Sequence, residues 1–176
     1  PWKAWKGFSG RFSTFTSMRI PLFSASRLSG GVERAARFRV YDNPALAGIG
    51  LARLDWITED LVLNNNASLR KIQMNALRRV NGPVEIENNG SLTSLEMSAM
   101  TKVLGIFSIY GNKSLAQIEG LDSLEGVYAL SVRYNAALQN LDAFSNLETV
   151  TYPYIDMGYI DVTGNNELVN IEGLFN

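Results

Sequence analysis

An asparagine recurs along this chain at a fixed interval, and it carries an apolar frame with it. Five of these asparagines are 23 residues apart, a sixth follows after 30, and each is followed three positions later by leucine. Two apolar residues stand five and three positions before each asparagine. The six are Asn43, Asn66, Asn89, Asn112, Asn135 and Asn165. A period of this length is typical of a solenoid, in which each repeat forms one turn of a stacked coil.

The apolar alternation before each asparagine predicts a short, half-buried strand, as in Phe107-Ser108-Ile109. Strands of successive coils would pair in parallel, so that each coil covers the core of the next. Because an asparagine side chain carries both a donor and an acceptor, it can pair backbone groups that a tight corner buries. The sequence therefore predicts a mainly β solenoid of about six coils of 23 residues, with an internal asparagine ladder.

Three of the asparagines also fit the acceptor pattern for N-linked glycosylation. The matches are Asn66-Ala67-Ser68, Asn89-Gly90-Ser91 and Asn112-Lys113-Ser114. An asparagine that points into the coil is out of reach of a glycosylating enzyme. The ladder interpretation is therefore preferred, and the matches are discounted.

Composition and charge narrow the classes of function. The chain has no cysteine and no histidine, which removes disulfides, thiolate metal sites and the commonest general base. Residues 1–39 carry eight Lys/Arg and one acid, whereas residues 40–176 carry eight Lys/Arg and sixteen acids. An acidic repeat region argues against a nucleic-acid partner. We predict no metal and no cofactor.

Two regions depart from the repeat. Residues 1–31 form a basic, aromatic N-terminal segment, and residues 32–176 form the repeat domain, which we expect to be truncated at its C-terminus. The segment is open to three interpretations: a cap on the first coil, a targeting or leader peptide, or a membrane contact through residues 1–20. The other departure is a seven-residue insertion before Ile160. Insertions in solenoids often lie on the binding face, so Tyr152 and Tyr154 are candidate ligand contacts.

The repeated frame, Asn-x-x-Leu-x-x-Ile/Leu followed by Leu-x-x-Leu-x-x-Val, resembles the receptor L-domain. The frame is clearest in residues 109–115, 118–127 and 162–168, and the resemblance covers residues 36–174. It implies a right-handed, leucine-rich β-helix, an extracellular or cell-surface location, and ligand recognition on a β-sheet face. The receptor versions carry disulfides, and this chain has no cysteine. The resemblance is therefore closer to the microbial or algal surface proteins of the family.

If the sheet face recognises a ligand here too, the outward residues of the strands before each asparagine are the candidates. Tyr110 and Arg133 fall on neighbouring coils, close to Glu87, and tyrosine and arginine are enriched in interface hot spots. The alternative is an ordinary mixed polar face. No outward position repeats threonine from coil to coil, which argues against a flat ice-binding surface.

We therefore predict a non-enzymatic binding or adhesion module of a cell-surface protein, with a protein or a carbohydrate as ligand. The alternative is a structural spacer within a larger surface or cell-wall protein. A polysaccharide-cleaving β-helix is disfavoured, because Glu85 and Glu87 lie on one strand and face no matching carboxylate pair on the next coil. The oligomeric state stays open.

Overall fold

The computed structural model describes residues 27–29, 31–151 and 158–175. Over these ranges the chain is a parallel β-solenoid of about five turns with a repeat of about 23 residues, slightly fewer turns than the six predicted. The described strands are β1 (Arg27–Ser29), β2 (Arg34–Ala35), β3 (Phe38–Tyr41), β4 (Gly48–Gly50), β5 (Trp56–Ile57), β6 (Leu61–Asn64), β7 (Lys71–Gln73), β8 (Arg79–Val80), β9 (Val84–Glu87), β10 (Ser94–Glu96), β11 (Lys102–Tyr110), β12 (Gly126–Arg133), β13 (Thr149–Val150) and β14 (Ile160–Thr163).

These strands stack into three faces, and each of the three coils from β2 to β10 contributes one strand to every face. Face 1 consists of β2, β5, β8, the first residues of β11 and β12, and β13. Face 2 consists of β3, β6, β9, the last residues of β11 and β12, and β14. Face 3 consists of β1, β4, β7 and β10. All these strands pair in parallel, so side chains at equivalent positions form columns that run along the solenoid.

The core fills the space inside the coils, as the apolar frame predicts. On face 2, β3, β6 and β9 each alternate buried and half-buried residues, starting with a buried one. The inward residues of the second, third and fourth repeats are buried: Leu69, Ile72, Met74, Leu77, Val80, Leu92, Leu95, Met97, Met100, Val103, Leu115, Ile118, Leu121, Leu124 and Val127. In the fifth repeat Leu138, Leu141 and Phe144 are buried, while Leu147 and Val150 are partly buried against the same core.

Each corner between face 2 and the ladder asparagine uses a left-handed backbone residue. The residue directly before each ladder asparagine has a positive φ, between 55° and 69°: Asp42, Asn65, Asn88, Gly111, Tyr134 and Gly164. Glycine, asparagine and aspartate adopt this conformation most readily, so five of these six corners carry the residues that they require. Tyr134 is the exception.

The corner between faces 1 and 2 depends on close backbone contact between coils. A Cβ atom added to Gly105 would lie 2.5 Å from the carbonyl carbon of Gly82 and 2.5 Å from the nitrogen of Pro83. No real side chain tolerates such distances, so only glycine fits at position 105 while the coils stay in register.

The strands of face 3 were not predicted. Only the strand before each ladder asparagine was expected, whereas three repeats also form a short strand after it. Beyond β10, face 3 continues only as isolated bridges, Glu96 with Glu119 and Asn140 with Asn170. Short 3-10 helices, Asp142–Phe144 and Glu172–Leu174, follow in these coils. Among the described residues, no helix has the length and apolar character needed to cross a membrane.

Candidate functional site

The ladder asparagines join each coil to the one before it. The Oδ1 atom accepts a hydrogen bond from the backbone N–H of the preceding ladder asparagine, at 2.9–3.2 Å. The Nδ2 atom donates to a backbone carbonyl that lies three residues before that asparagine, at 2.7–3.0 Å. These two bonds pair one backbone N–H and one carbonyl at each corner from Asn43 to Asn135, so the ladder predicted from the repeat is internal and structural. The Oδ1 atom of Asn43, the first asparagine of the ladder, is buried without a partner.

The ends of the ladder differ from its middle. Asn66, Asn89, Asn112 and Asn135 are fully buried, which removes the glycosylation pattern at the first three from the surface. Asn165 is half-buried but makes the same two bonds.

The outer column of face 2 brings the predicted contact residues together. Strand register places Tyr110 beside Glu87 on one neighbouring coil and beside Arg133 on the other. The whole column reads Tyr41, Asn64, Glu87, Tyr110, Arg133 and Thr163. Glu87, Tyr110 and Arg133 therefore form one continuous strip across three coils, as their spacing in the sequence predicts.

Contacts within this strip form a small organised cluster. The guanidinium carbon of Arg133 lies 5.6 Å from the ring centroid of Tyr110, within cation–π range. The rings of Tyr110 and Tyr134 meet edge to face, with centroids 5.4 Å apart and an interplanar angle of 71°. Arg133 Nη1 lies 3.5 Å from Asp161 Oδ2.

Serine and glutamate complete the cluster on the other side of Tyr110. The hydroxyl of Ser108 donates to Glu87 Oε1 at 2.6 Å. We call the whole cluster the Tyr110 patch; it consists of Glu87, Ser108, Tyr110, Arg133, Tyr134 and Asp161.

Ser108, Tyr134 and Asp161 are patch members that were not predicted as contact residues, and Tyr134 is the most exposed aromatic residue among the patch members. It has a φ of 55°, and 54% of its surface is exposed. A non-glycine residue pays about 1–2 kcal/mol for this conformation. A Cβ atom on Gly164, in the next coil, would lie 2.5 Å from the Tyr134 ring, so the ring lies over that glycine. The available signal was a tyrosine at the corner position where the other repeats carry Asp, Asn or Gly.

The floor of the patch is more closed than a strand surface usually is. Ser108 and Ser131 point to the outer face, where the sequence predicts accessible side chains, yet both are buried. The Nε atom of Arg133 is also buried and has no hydrogen-bond partner. An unpaired buried N–H is costly, so Arg133 has unused donor capacity within the patch.

Two predicted contacts cannot be placed. Tyr152 and Tyr154 lie outside the described residues, as does the N-terminal segment through residue 26.

Charged clusters elsewhere stabilise coil-to-coil contacts. On face 3, Glu96 accepts hydrogen bonds from Lys71 at 2.6 Å and from Gln73 at 2.9 Å. These donors, Lys71 first, lower the pKa of Glu96 to about 2. On face 2, Arg39 donates two hydrogen bonds of 2.6 Å to Asp60, and this pairing raises the pKa of Arg39.

The carboxylates of face 2 are arranged for hydrogen bonding to neighbours. Glu85 accepts from Asn64 at 3.3 Å, and its neighbours in register are Val62 and Ser108, so no carboxylate faces it. Among the described residues, no group of three or more Asp or Glu could hold a metal ion. The Tyr110 patch thus offers aromatic faces, hydroxyls, one cation and two carboxylates, which are groups for recognition.

Fold and patch together define the class of protein, a β-solenoid of stacked parallel coils with a polar outer face. No known protein family, curated protein or solved structure matches the chain. The contacts described above therefore carry the functional argument.

Proposed function

We propose that this chain is a non-enzymatic binding or adhesion module that recognises a protein or glycan ligand on face 2, through the Tyr110 patch. Tyr134 carries the proposal. It is an exposed aromatic residue held in a left-handed conformation, at a corner where other coils use residues that adopt this conformation at less cost. Strained residues of this kind cluster at binding sites, because a residue that lowers stability tends to persist only where it contributes to function.

The chemistry of the patch supports a ligand with both apolar and hydroxyl-bearing surfaces. Tyr110 and Tyr134 hold each other in position, so their rings are ordered before a ligand arrives. Arg133, Asp161 and Glu87 supply a donor and two acceptors around these rings. Rigid aromatic anchors next to an arginine are typical of hot spots, and the same groups suit a sugar ring and its hydroxyls.

The resemblance of the repeat to the receptor L-domain belongs to this proposal. It is the source of the proposed location, outside the cell or at the cell surface, and of the proposed use of a sheet face. The frame that carries it, the ladder asparagine and the leucine three residues later, forms the corner and core of each coil.

A glycan and protein-ectodomain array, probed with the full chain, tests the proposal. For any ligand that binds, Tyr134→Asn and Tyr110→Ala should each weaken affinity at least tenfold. Tyr41→Ala is the matched control, since Tyr41 belongs to the same outer column on a distant coil and should leave affinity unchanged. Equal affinity in all three variants would remove the patch as the binding site.

A structural spacer is the second candidate function. The ladder and the core run through the coils without interruption, as a stiff spacer would require. The same array decides between the two candidates. A folded chain that binds nothing on it supports the spacer.

A further inference from the structure

A second column of outward side chains, on face 1, is basic. Strand register places Arg34 beside Trp56, Trp56 beside Arg79, and Arg79 beside Lys102. Their strand partners, Ala35, Ile57, Val80 and Val103, are buried in the core. Because neighbours along a strand point to opposite sides, the four residues face outward. We call them the face 1 column.

The cations of this column have no carboxylate partners among the described residues. Arg37, Arg39, Arg53, Lys71, Arg78 and Arg133 each have a carboxylate oxygen within 4.0 Å. Arg34, Arg79 and Lys102 have none, and Arg79 donates only to the amide of Asn81, at 2.7 Å. Like charges side by side on paired strands are destabilising, so Arg79 next to Lys102 leaves an uncompensated site for an anion.

Trp56 adds an aromatic surface and an unused donor to the column. The guanidinium carbon of Arg34 lies 5.6 Å from the centroid of a Trp56 ring. The indole N–H of Trp56 is buried and lacks an acceptor. An anionic group held between Arg34 and Arg79 would pair two guanidinium groups at the same time, beside the Trp56 ring.

We propose that the face 1 column binds a linear anionic polysaccharide lying along the solenoid axis. Its sulfate or carboxylate groups pair with Arg34, Arg79 and Lys102, and a sugar ring covers Trp56. Paired strands are about 4.8 Å apart, which puts Arg79 roughly 10 Å from Arg34 and Lys102 roughly 5 Å beyond it. This is a single-file arrangement that an extended chain with repeated anionic groups can match.

Acidic residues beside the column favour a polysaccharide over a nucleic acid. Glu33 and Asp55 directly precede Arg34 and Trp56, and they pair with Arg53 and Arg78 in the adjacent row. The ion pairs of Glu33 and Asp55 therefore border the strip beside Arg34 and Trp56, and the strip is one residue wide there. A duplex presents a broad, dense phosphate surface that would meet these carboxylates.

The test is binding of the full chain to a sulfated heparin decasaccharide, measured by calorimetry at several salt concentrations. The double variant Arg79→Gln/Lys102→Gln should weaken binding at least tenfold and reduce its salt dependence. The control Arg70→Gln/Lys113→Gln removes the same charge from two other cations that have no ion pair among the described residues, and it should change affinity less than twofold. Both variants retain the basic N-terminal segment, so its contribution cancels.

Equal weakening in the two double variants, or no weakening in either, would overturn the proposal. A second readout is the indole N–H resonance of Trp56, assigned by its loss in Trp56→Phe. It should shift during the titration, and an unchanged resonance would also overturn the proposal. A single-stranded DNA of equal charge that binds as tightly, and loses affinity equally in the Arg79→Gln/Lys102→Gln variant, would overturn the assignment to a polysaccharide.

Discussion

The ladder inside the coils and the column of side chains just outside it obey opposite rules. Inside, the same residue, asparagine, stands at all six positions. Outside, the aligned column on face 2 reads Tyr41, Asn64, Glu87, Tyr110, Arg133 and Thr163, five residue types over six positions, with only tyrosine used twice. The two columns are two residues apart in sequence.

The difference follows from what each position must satisfy. Every corner buries one backbone N–H and one carbonyl in the same geometry, and a primary amide of the right length pairs both. The outer position has no such common demand, because water can satisfy its polar groups. The repeated asparagine of the ladder reflects the needs of the fold. The outer column varies from coil to coil, so a functional site is better sought among its residues, such as Arg133 beside Tyr110.

Among the variants that test this comparison, truncation of a core leucine should have the largest effect on the free energy of unfolding. Leu115 is fully buried, so Leu115→Ala should lower the free energy of unfolding by roughly 2–5 kcal/mol, through lost burial and a cavity. The matched control is Val169→Ala, because Val169 is 88% exposed and should change stability little. Urea denaturation measures both, and a loss below about 1 kcal/mol for Leu115→Ala would contradict the assigned interior.

Removal of one ladder amide should have the next largest effect. Asn112→Ala leaves the N–H of Asn89 and the carbonyl of Ile86 buried without partners, which should cost about 1–3 kcal/mol or somewhat more. Asn166→Ala is the control, since Asn166 is exposed. If the two variants have the same urea midpoint, the ladder does not stabilise the coils.

The Glu96 cluster shows that an outer position can also contribute stability, in a pH-dependent way. The folded pKa is lowered from 4.5 to about 2, so the stabilisation is present above pH 4.5 and is lost as the pH falls towards 2. Glu96 is partly exposed, and solvent screening leaves about 1 kcal/mol of effect. Glu96→Gln should flatten the fall in urea midpoint between pH 5 and pH 2, in comparison with Glu125→Gln at an exposed carboxylate. Equal pH profiles in the two variants would show that the Glu96 carboxylate does not contribute pH-dependent stability.

Relief of the strained corner should have the smallest effect and the opposite sign. Tyr134→Asn replaces a tyrosine with a residue that tolerates positive φ, as Asn65 and Asn88 do at equivalent corners. The free energy of unfolding should rise by between 0 and about 1 kcal/mol, because the relief of strain is partly offset by the lost contact with Tyr110. Tyr134→Val, which places a β-branched residue in the same conformation, should instead lower the melting temperature. A loss of stability in Tyr134→Asn equal to that in Tyr134→Val would show that the tyrosine itself stabilises the corner.

The sequence was sufficient for the repeat, the core and the ladder, because these depend on one short pattern read many times. Leu69, Leu92 and Leu115 could be placed inside the coil by their spacing alone. The alignment of Glu87, Tyr110 and Arg133 followed from the same step, since equivalent residues of parallel coils stack.

Features that depend on backbone conformation could not be predicted from the repeat pattern of the sequence. Face 3 is built from short segments such as Lys71–Gln73, in which a single inward residue gives too little alternation to indicate a strand. The positive φ of Tyr134 is imposed by its place before Asn135, against the preference of tyrosine itself. Ser108 and Ser131 are buried although strand alternation places both on the outer face, so alternation alone does not give the exposure of a side chain.

The asparagine ladder also sets the order in which hydrogen bonds between coils can form during synthesis. Each ladder Nδ2 from Asn66 to Asn135 pairs a carbonyl that was synthesised 26 residues earlier, on the preceding coil. The Nδ2 atoms of Asn66, Asn112 and Asn135 also donate to the Oδ1 atom of the next ladder asparagine, at 3.2–3.4 Å. During synthesis, the corner of a coil therefore receives its two ladder hydrogen bonds only when the next ladder asparagine arrives, so the corners become complete in the order in which they are made.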